Sequence, residues 1–258
     1  MKRYLKNKEE AKKLMYVALC SSTIQVVSGA EIYRADKTIQ KIFSLYENAK
    51  NVQTYLLSNV VHISFEFQGE NIQAFRRIPM TYIDLGKIDQ INTFSRDFVN
   101  EKYTLDEAIS LLNKIYSSLN ENFFKDYIAP GFAGAFFSLL FGGVLNDFIS
   151  TFFITSFMCG IVSKLKSFEM SFVVSNFVGA FIVSTLAIFS INIGVGVNQD
   201  SIIIGSIMVL LPGLIATNSS RDIMYEDYLT GLIGLTKAVF IAFFIAFGVG
   251  SSLKIFGG

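Results

Sequence analysis

Apolar and polar positions follow one rule up to about residue 120 and another beyond it. In the first stretch they recur at short periods, among charges. Leu14, Tyr16, Val17, Leu19, Ile24, Val26 and Val27 are interleaved with charged or small residues, which predicts a half-buried helix over residues 8–27. "SGA" ends it, and Glu31 opens a second helix to Tyr46 that turns Ile32, Ile39, Ile42 and Phe43 toward a core. "VQTYLLS" and "NVVHISFEF" are rich in β-branched and aromatic residues and predict two strands; "QGEN" supplies a turn before a third, "IQAFRRI". Asp84 is placed to cap a helix through "LGKIDQINTFSRDFVNE". Thr104, with Glu107 three residues on, forms a capping box before Ala108, Ile109, Leu111, Leu112 and Ile115.

Beyond that point apolar runs follow one another at 127–145, 148–164, 171–194, 201–217 and 229–253. A helix rising 1.5 Å per residue needs about 20 residues to cross ~30 Å of hydrocarbon, and most of these runs come close. Buried helices of a soluble core would read alike one by one, but a succession of them leaves almost no polar surface for water. The predicted fold is a mostly α membrane protein: an N-terminal cytoplasmic α+β domain, residues 1–122, then a five-helix transmembrane domain, residues 123–258.

Charge adds an orientation. Of 22 Lys and Arg, 17 precede Tyr127, so the net charge of +1 conceals a charged half and an apolar half. Positive residues in the short connections alternate, with Lys164 and Lys166 in one and Arg221 in another, and none at Asn146–Asp147 or Asn198–Asp200. Positive residues favour the cytoplasmic side, which puts the N-terminus in the cytoplasm and the C-terminus, with Lys254, outside the plasma membrane. The N-terminal apolar stretch is too short and too polar for a cleaved signal, leaving that role to the first span. Cys20 and Cys159 fall one in each half, so no disulfide is expected, and the lone His62 argues against zinc or haem; no cofactor is predicted.

Candidate chemistry lies where polar groups interrupt the spans. A charge at the bilayer centre costs about 2.5–3.5 kcal/mol, so such groups are kept where a cavity, partner or substrate needs them. Asp147 ends the first span, Asn176 and Asn192 lie in the third, and Lys237 lies in the last. In "MVLLPGLIATNSSRDI" Pro212 removes an amide and Gly213 relaxes the chain, predicting a kink with freed carbonyls; Thr217, Asn218, Ser219, Ser220, Arg221 and Asp222 follow. Broken helices of this kind line polar cavities in transporters, and Arg221 suits a carboxylate. A snorkelling Arg221–Asp222 pair at the interface explains the same residues. Lys237, about 12 Å into its span, either snorkels or pairs with Asp222 or an acid on a partner. Glu31 and Arg34 read as a surface pair worth a few tenths of a kcal/mol.

"SGAEIYRADKT", "RRIPMTYIDLGKIDQIN", "TLDEAISLLNKI", "FGGVLND" and "IIIGSIMVLLPGLIATNSSRDIMYEDYLTGL" occur in the order and spacing of the threonine/serine exporter family, which the chain resembles from Leu14 to Phe256. The resemblance implies export of small polar metabolites: threonine and serine, or dicarboxylates such as succinate. It is nearest a short branch whose members act with a second small integral-membrane subunit of the same family. By position it draws attention to Pro212, Gly213, Thr217, Asn218, Arg221 and Asp222, to Asp147, and to Glu31 and Arg34. Family members often carry glutamate where Lys237 stands, so no proton relay is carried over to that site.

Two functions from different classes are compatible with these residues. One is a secondary exporter subunit with its partner, a small-molecule substrate, surrounding lipid and no nucleic acid, in which Arg221 lines a polar cavity. The other is a membrane-anchored cytoplasmic enzyme or regulatory module, which would need convergent acids in a deep pocket of the first 120 residues. A channel would need a charge ring that the spans lack.

Overall fold

The computed structural model describes residues 3–78, 82–118, 123–168 and 170–257, without the side chains of Lys166 and Ser167. The expected domain boundary at 122/123 and the side chain of Lys166 lie outside this description. The chain forms two compact units, Met1–Leu119 with Ile215–Leu235, and Asn120–Leu214 with Thr236–Gly258.

In the first unit the helices α1 (Lys8–Val27), α2 (Ile32–Phe43), α3 (Leu85–Val99) and α4 (Leu105–Ser117) accompany a sheet of β1 (Lys50–Leu57), β2 (Val60–Phe67) and β3 (Glu70–Arg77). The sheet is an antiparallel meander in the order β1-β2-β3. The β2–β3 turn takes positive φ at both Gln68 (52°) and Gly69 (79°), the geometry that matches strand twist in a two-residue hairpin. Val61, Ile63, Phe65 and Phe67 of β2 point into the core, while Tyr55 and Phe75 stay exposed on the other face.

α1 is not half-buried, as its pattern suggested; it runs through the core with α2, α3, α4, β2 and β3 around it. Ser21, Ser22 and Thr23 can occupy buried positions because each hydroxyl donates to a carbonyl one turn back, at 2.8, 2.8 and 2.6 Å. A helix surrounded on all sides needs no polar face, so its periodicity is weak. The caps match the expected ones: Asp84 accepts from Lys87 N at 3.0 Å, and Thr104 and Glu107 complete a capping box.

The second unit is helical: a π-helical turn Phe124–Ile128, α5 (Ala129–Leu140), α6 (Leu145–Ser167), α7 (Phe172–Asn192), α8 (Gln199–Ile207) and a 3-10 turn Met208–Leu210. α9 (Gly213–Met224) and α10 (Tyr228–Phe256) each begin in one unit and end in the other. The fold is mostly helical with an N-terminal α+β region, and α6, α7 and α10 are each long and apolar enough to cross a membrane. A fourth span exists if Gln199–Leu210 and Gly213–Met224 count as one across a 50° bend. The first expected span falls on the π turn and the 12-residue α5, which stops where Gly142 takes φ +87°. The expected polar connection at Asn146–Asp147 is instead the first turn of α6, because Asp147 accepts the Val144 N–H at 2.9 Å and so starts the helix.

Proline 212 also acts differently from a mid-span kink. A residue before proline is driven out of the α region, and Leu211 is extended, with ψ 136°. The helix therefore ends in a 3-10 turn, with Leu211 N donating to Met208 O, and a new helix starts at Gly213.

Candidate functional site

α1 ends in a turn that only glycine fits comfortably. Gly29 has φ +80°, Ala30 N donates back to Gln25 O at 3.0 Å, and a Cβ on Gly29 would stand 3.3 Å from Tyr82 O. Backbone bonds from Tyr82 N to Val27 O (2.9 Å) and Asp84 N to Ser28 O (3.1 Å) hold the turn. It presents the Gly29 carbonyl and the first N–H of α2 to the part of α9 that belongs to the same unit.

On α9, Asn218, Arg221 and Asp222 share one face by their three- and four-residue spacing. Asn218 Nδ2 donates to Gly29 O at 2.9 Å. Ile32 N donates to Asp222 Oδ1 at 3.2 Å. Glu31 is the N-cap residue of α2 but makes no side-chain cap of its own, so Asp222 supplies the carboxylate that this helix end attracts. Arg221 Nη1 donates to Glu31 Oε1 at 2.7 Å, and Arg34 Nε lies 3.4 Å from Glu31 Oε2. The Glu31 side chain is 7% exposed and that of Arg221 57%, so a buried acid holds a cation that still reaches solvent. Beside them the Tyr33 and Tyr225 rings stack at 4.1 Å, with Lys37 Nζ 5.1 Å from the Tyr33 centroid.

The two acids titrate in opposite directions. Burial pushes the Glu31 carboxyl up, but its own backbone N–H, the Arg221 hydrogen bond and the charges of Arg34 and Arg221 together hold it below the usual glutamate range. Asp222 lies beyond the apolar part of span four, within the first unit, and burial raises it to about 6 against the pull of Ile32 N–H; Asp227 and Glu31 add to the rise. The expected surface pair Glu31–Arg34 is thus part of a three-member cluster in which both arginines reach solvent around a buried acid.

The remaining candidates lie elsewhere. Pro212 and Gly213 form the break itself, and Thr217 is exposed on α9. Ser219 and Ser220 return their hydroxyls to Ile215 O and Ala216 O on their own helix. Asp147, fully buried in the second unit, accepts from Val144 N, from Val197 N at 2.7 Å and from Asn198 N at 3.0 Å, which fixes the α7–α8 connection to the start of α6. Lys237, half-buried, sets its ammonium 5.4 Å from the Phe172 ring centroid. Tyr33, Lys37 and Tyr225 were missed in the sequence. The i, i+4 spacing of Tyr33 and Lys37 in "YRADK" was the available signal. Two grooves open on the first unit, over the outer face of the sheet and between α3 and α4, and neither gathers several acids.

Three helices long and apolar enough to cross a membrane, on a chain that also carries an α+β unit, are the features of a multi-pass membrane protein. The family described as "Putative threonine/serine exporter" (ThrE) matches residues 17–256, and the chain belongs to that family. It is a family of transporters, not enzymes. No curated protein and no solved structure matches the chain.

Proposed function

We propose that this chain is a subunit of a secondary exporter of small polar metabolites, carrying threonine- or serine-type amino acids or dicarboxylates such as succinate, together with a second small membrane subunit of the short branch. In this reading the π turn and α5 complete a set of five spans, the N-terminal α+β domain faces the cytoplasm and the C-terminus lies outside. The observation that carries it is the Arg221–Glu31 pair. A guanidinium binds a carboxylate through paired N–H groups, and Arg221 already holds one, with much of its own surface still exposed. Glu31 occupies the place that a substrate carboxylate takes, and cargo arrival exchanges an internal acid for an external one. Membership of an exporter family supports the same reading.

The test is efflux of labelled threonine, serine and succinate from preloaded cells expressing the chain with its partner, beside Arg221→Gln and Glu31→Gln. Efflux lost in Arg221→Gln, and altered in its substrate concentration dependence in Glu31→Gln, is the expected result. Unchanged efflux in Arg221→Gln, with the protein present in the membrane, rejects the site.

A further inference from the structure

Serine and threonine in membrane helices ordinarily return their hydroxyls to their own backbone. Ser138, Ser175 and Thr185 do so in this unit, donating to Ala135 O, Ser171 O and Phe181 O. Thr151 and Thr155 of α6, Ser184 of α7 and Ser206 of α8 do not: all four residues are fully buried, and their hydroxyls have no hydrogen-bond partner among the described residues. A buried hydroxyl left unpaired keeps the full penalty of its lost hydration, so several of them in one helix bundle call for an explanation.

Three of them share one depth, with Thr151 one turn along α6, beside the Ser190–Ser150 pair. A Cβ on Gly134 of α5 would lie 2.6 Å from Thr155 Oγ1 and 3.2 Å from Gly205 O, which puts Thr155 and the residue before Ser206 at the same level. The Ser190–Ser150 hydrogen bond at one end of the α6–α7 pair and the Gly179–Val162 contact toward the other bring Ser184 opposite the turn of Thr155. The Gly179–Leu210 contact likewise aligns Ser184 with Gly205–Ser206 on α8. This level is near the middle of α6 and of α7. It is also where small residues let two backbones meet, since a Cβ on Gly205 would stand 2.7 Å from Gly134 O.

We propose that this mid-bundle layer, Thr155, Ser184 and Ser206, is a binding site for a small polar solute of zero net charge, closed in this structure by the glycine contact between α5 and α8. The ligand class follows from the charges. Hydroxyls both donate and accept, but they carry no formal charge to balance an ion. Along the four helices the nearest charged residues are Asp200, Asp147, Lys164 and Asp126, each six or more residues from Thr155, Ser206 or the facing Gly134, ~9 Å or more at the helical rise. Asp147 is moreover occupied by its three backbone donors. A solute whose charges cancel internally can be solvated by such a layer, whereas a dianion cannot. The proposal rests on the exporter reading and narrows its cargo away from dicarboxylates.

The test is thiol accessibility in native membranes. In the full chain with Cys20 and Cys159 replaced by serine, Thr155→Cys, Ser184→Cys and Ser206→Cys are exposed one at a time to a small hydrophilic methanethiosulfonate, beside Ala180→Cys, a fully buried site packed against Gly248. The three layer positions react, Ala180→Cys does not, and millimolar L-serine slows the reaction several-fold where succinate has no effect. Reaction no faster than at Ala180→Cys would mean that the seam is dry and would overturn the site. Equal protection by succinate, or none by L-serine, would overturn the ligand class. Loss of all efflux in wild type, with labelling and protection as expected, would instead reject the exporter reading and leave the site standing.

Discussion

Asp222→Asn isolates the cost of a buried charge. Burial raises the Asp222 carboxyl from 3.8 to about 6, the Ile32 N–H partly opposes the rise, and Asp227 and Glu31 reinforce it. A shift of two units corresponds to about 3 kcal/mol between the two protonation states. The folded pKa is raised, so the stability tied to the neutral acid is fully present below the unfolded value of 3.8 and is lost as pH climbs to about 6. Asparagine keeps an oxygen for Ile32 N–H and never ionises. The variant therefore matches wild type near pH 4, pulls ahead through pH 5 and 6, and by pH 7 is more stable by up to about 3 kcal/mol, roughly 6–12 °C in melting temperature. Glu31 does not obscure this: its folded pKa is lowered, so its stabilisation is lost only as pH falls below the ordinary glutamate range. Thermal unfolding of the purified chain in detergent, followed between pH 4 and 8, reads the difference. Parallel pH profiles for wild type and Asp222→Asn would refute the buried-charge argument.

Removing the Asp147 carboxylate with alanine strips the acceptor from three backbone N–H groups at about 1–3 kcal/mol each, so Asp147→Ala should lower the melting temperature far more than Asp147→Asn, which retains one acceptor oxygen. In the α9–α10 hairpin of the first unit, Gly231→Ala would set its Cβ 2.8 Å from Ser219 O, a backbone atom, and Gly234→Ala would set its own 1.9 Å from Ser219 Oγ, a hydroxyl that can rotate away. The first should therefore cost more, about 1–3 kcal/mol in chemical denaturation, and only the second should be relieved by adding Ser219→Ala.

Local signals were readable and distant ones were not. The strands, the β2–β3 turn, the Asp84 cap and the Thr104–Glu107 box lie within a few residues of their partners, so propensity and spacing identify them. α1 misled because the burial of Ser21, Ser22 and Thr23 depends on bonds back to their own helix, which a hydrophobicity pattern scores as polar surface. Pro212 was legible as a breaker, but whether a proline kinks or ends a helix depends on its predecessor, and Leu211 took the extended conformation. The residues of "SGAEIYR" and "TNSSRD" could each be singled out. Their contact could not: Glu31 and Arg221 are 190 positions apart, and nothing in the periodicity of either segment specifies the other.

That separation also sets a timetable. A ribosome adding ~5–20 residues per second delivers Arg221 roughly 10–40 s after Glu31, so the segment up to residue 119 must wait, with an acid at its core edge and a helix start lacking its cap, until most of the membrane half has been made. Synthesis of α5 to α8 therefore precedes completion of the first unit. A chain that stops short of α9 leaves Glu31 without Arg221 and the N-terminus of α2 without its carboxylate, so the last third of the sequence completes the first.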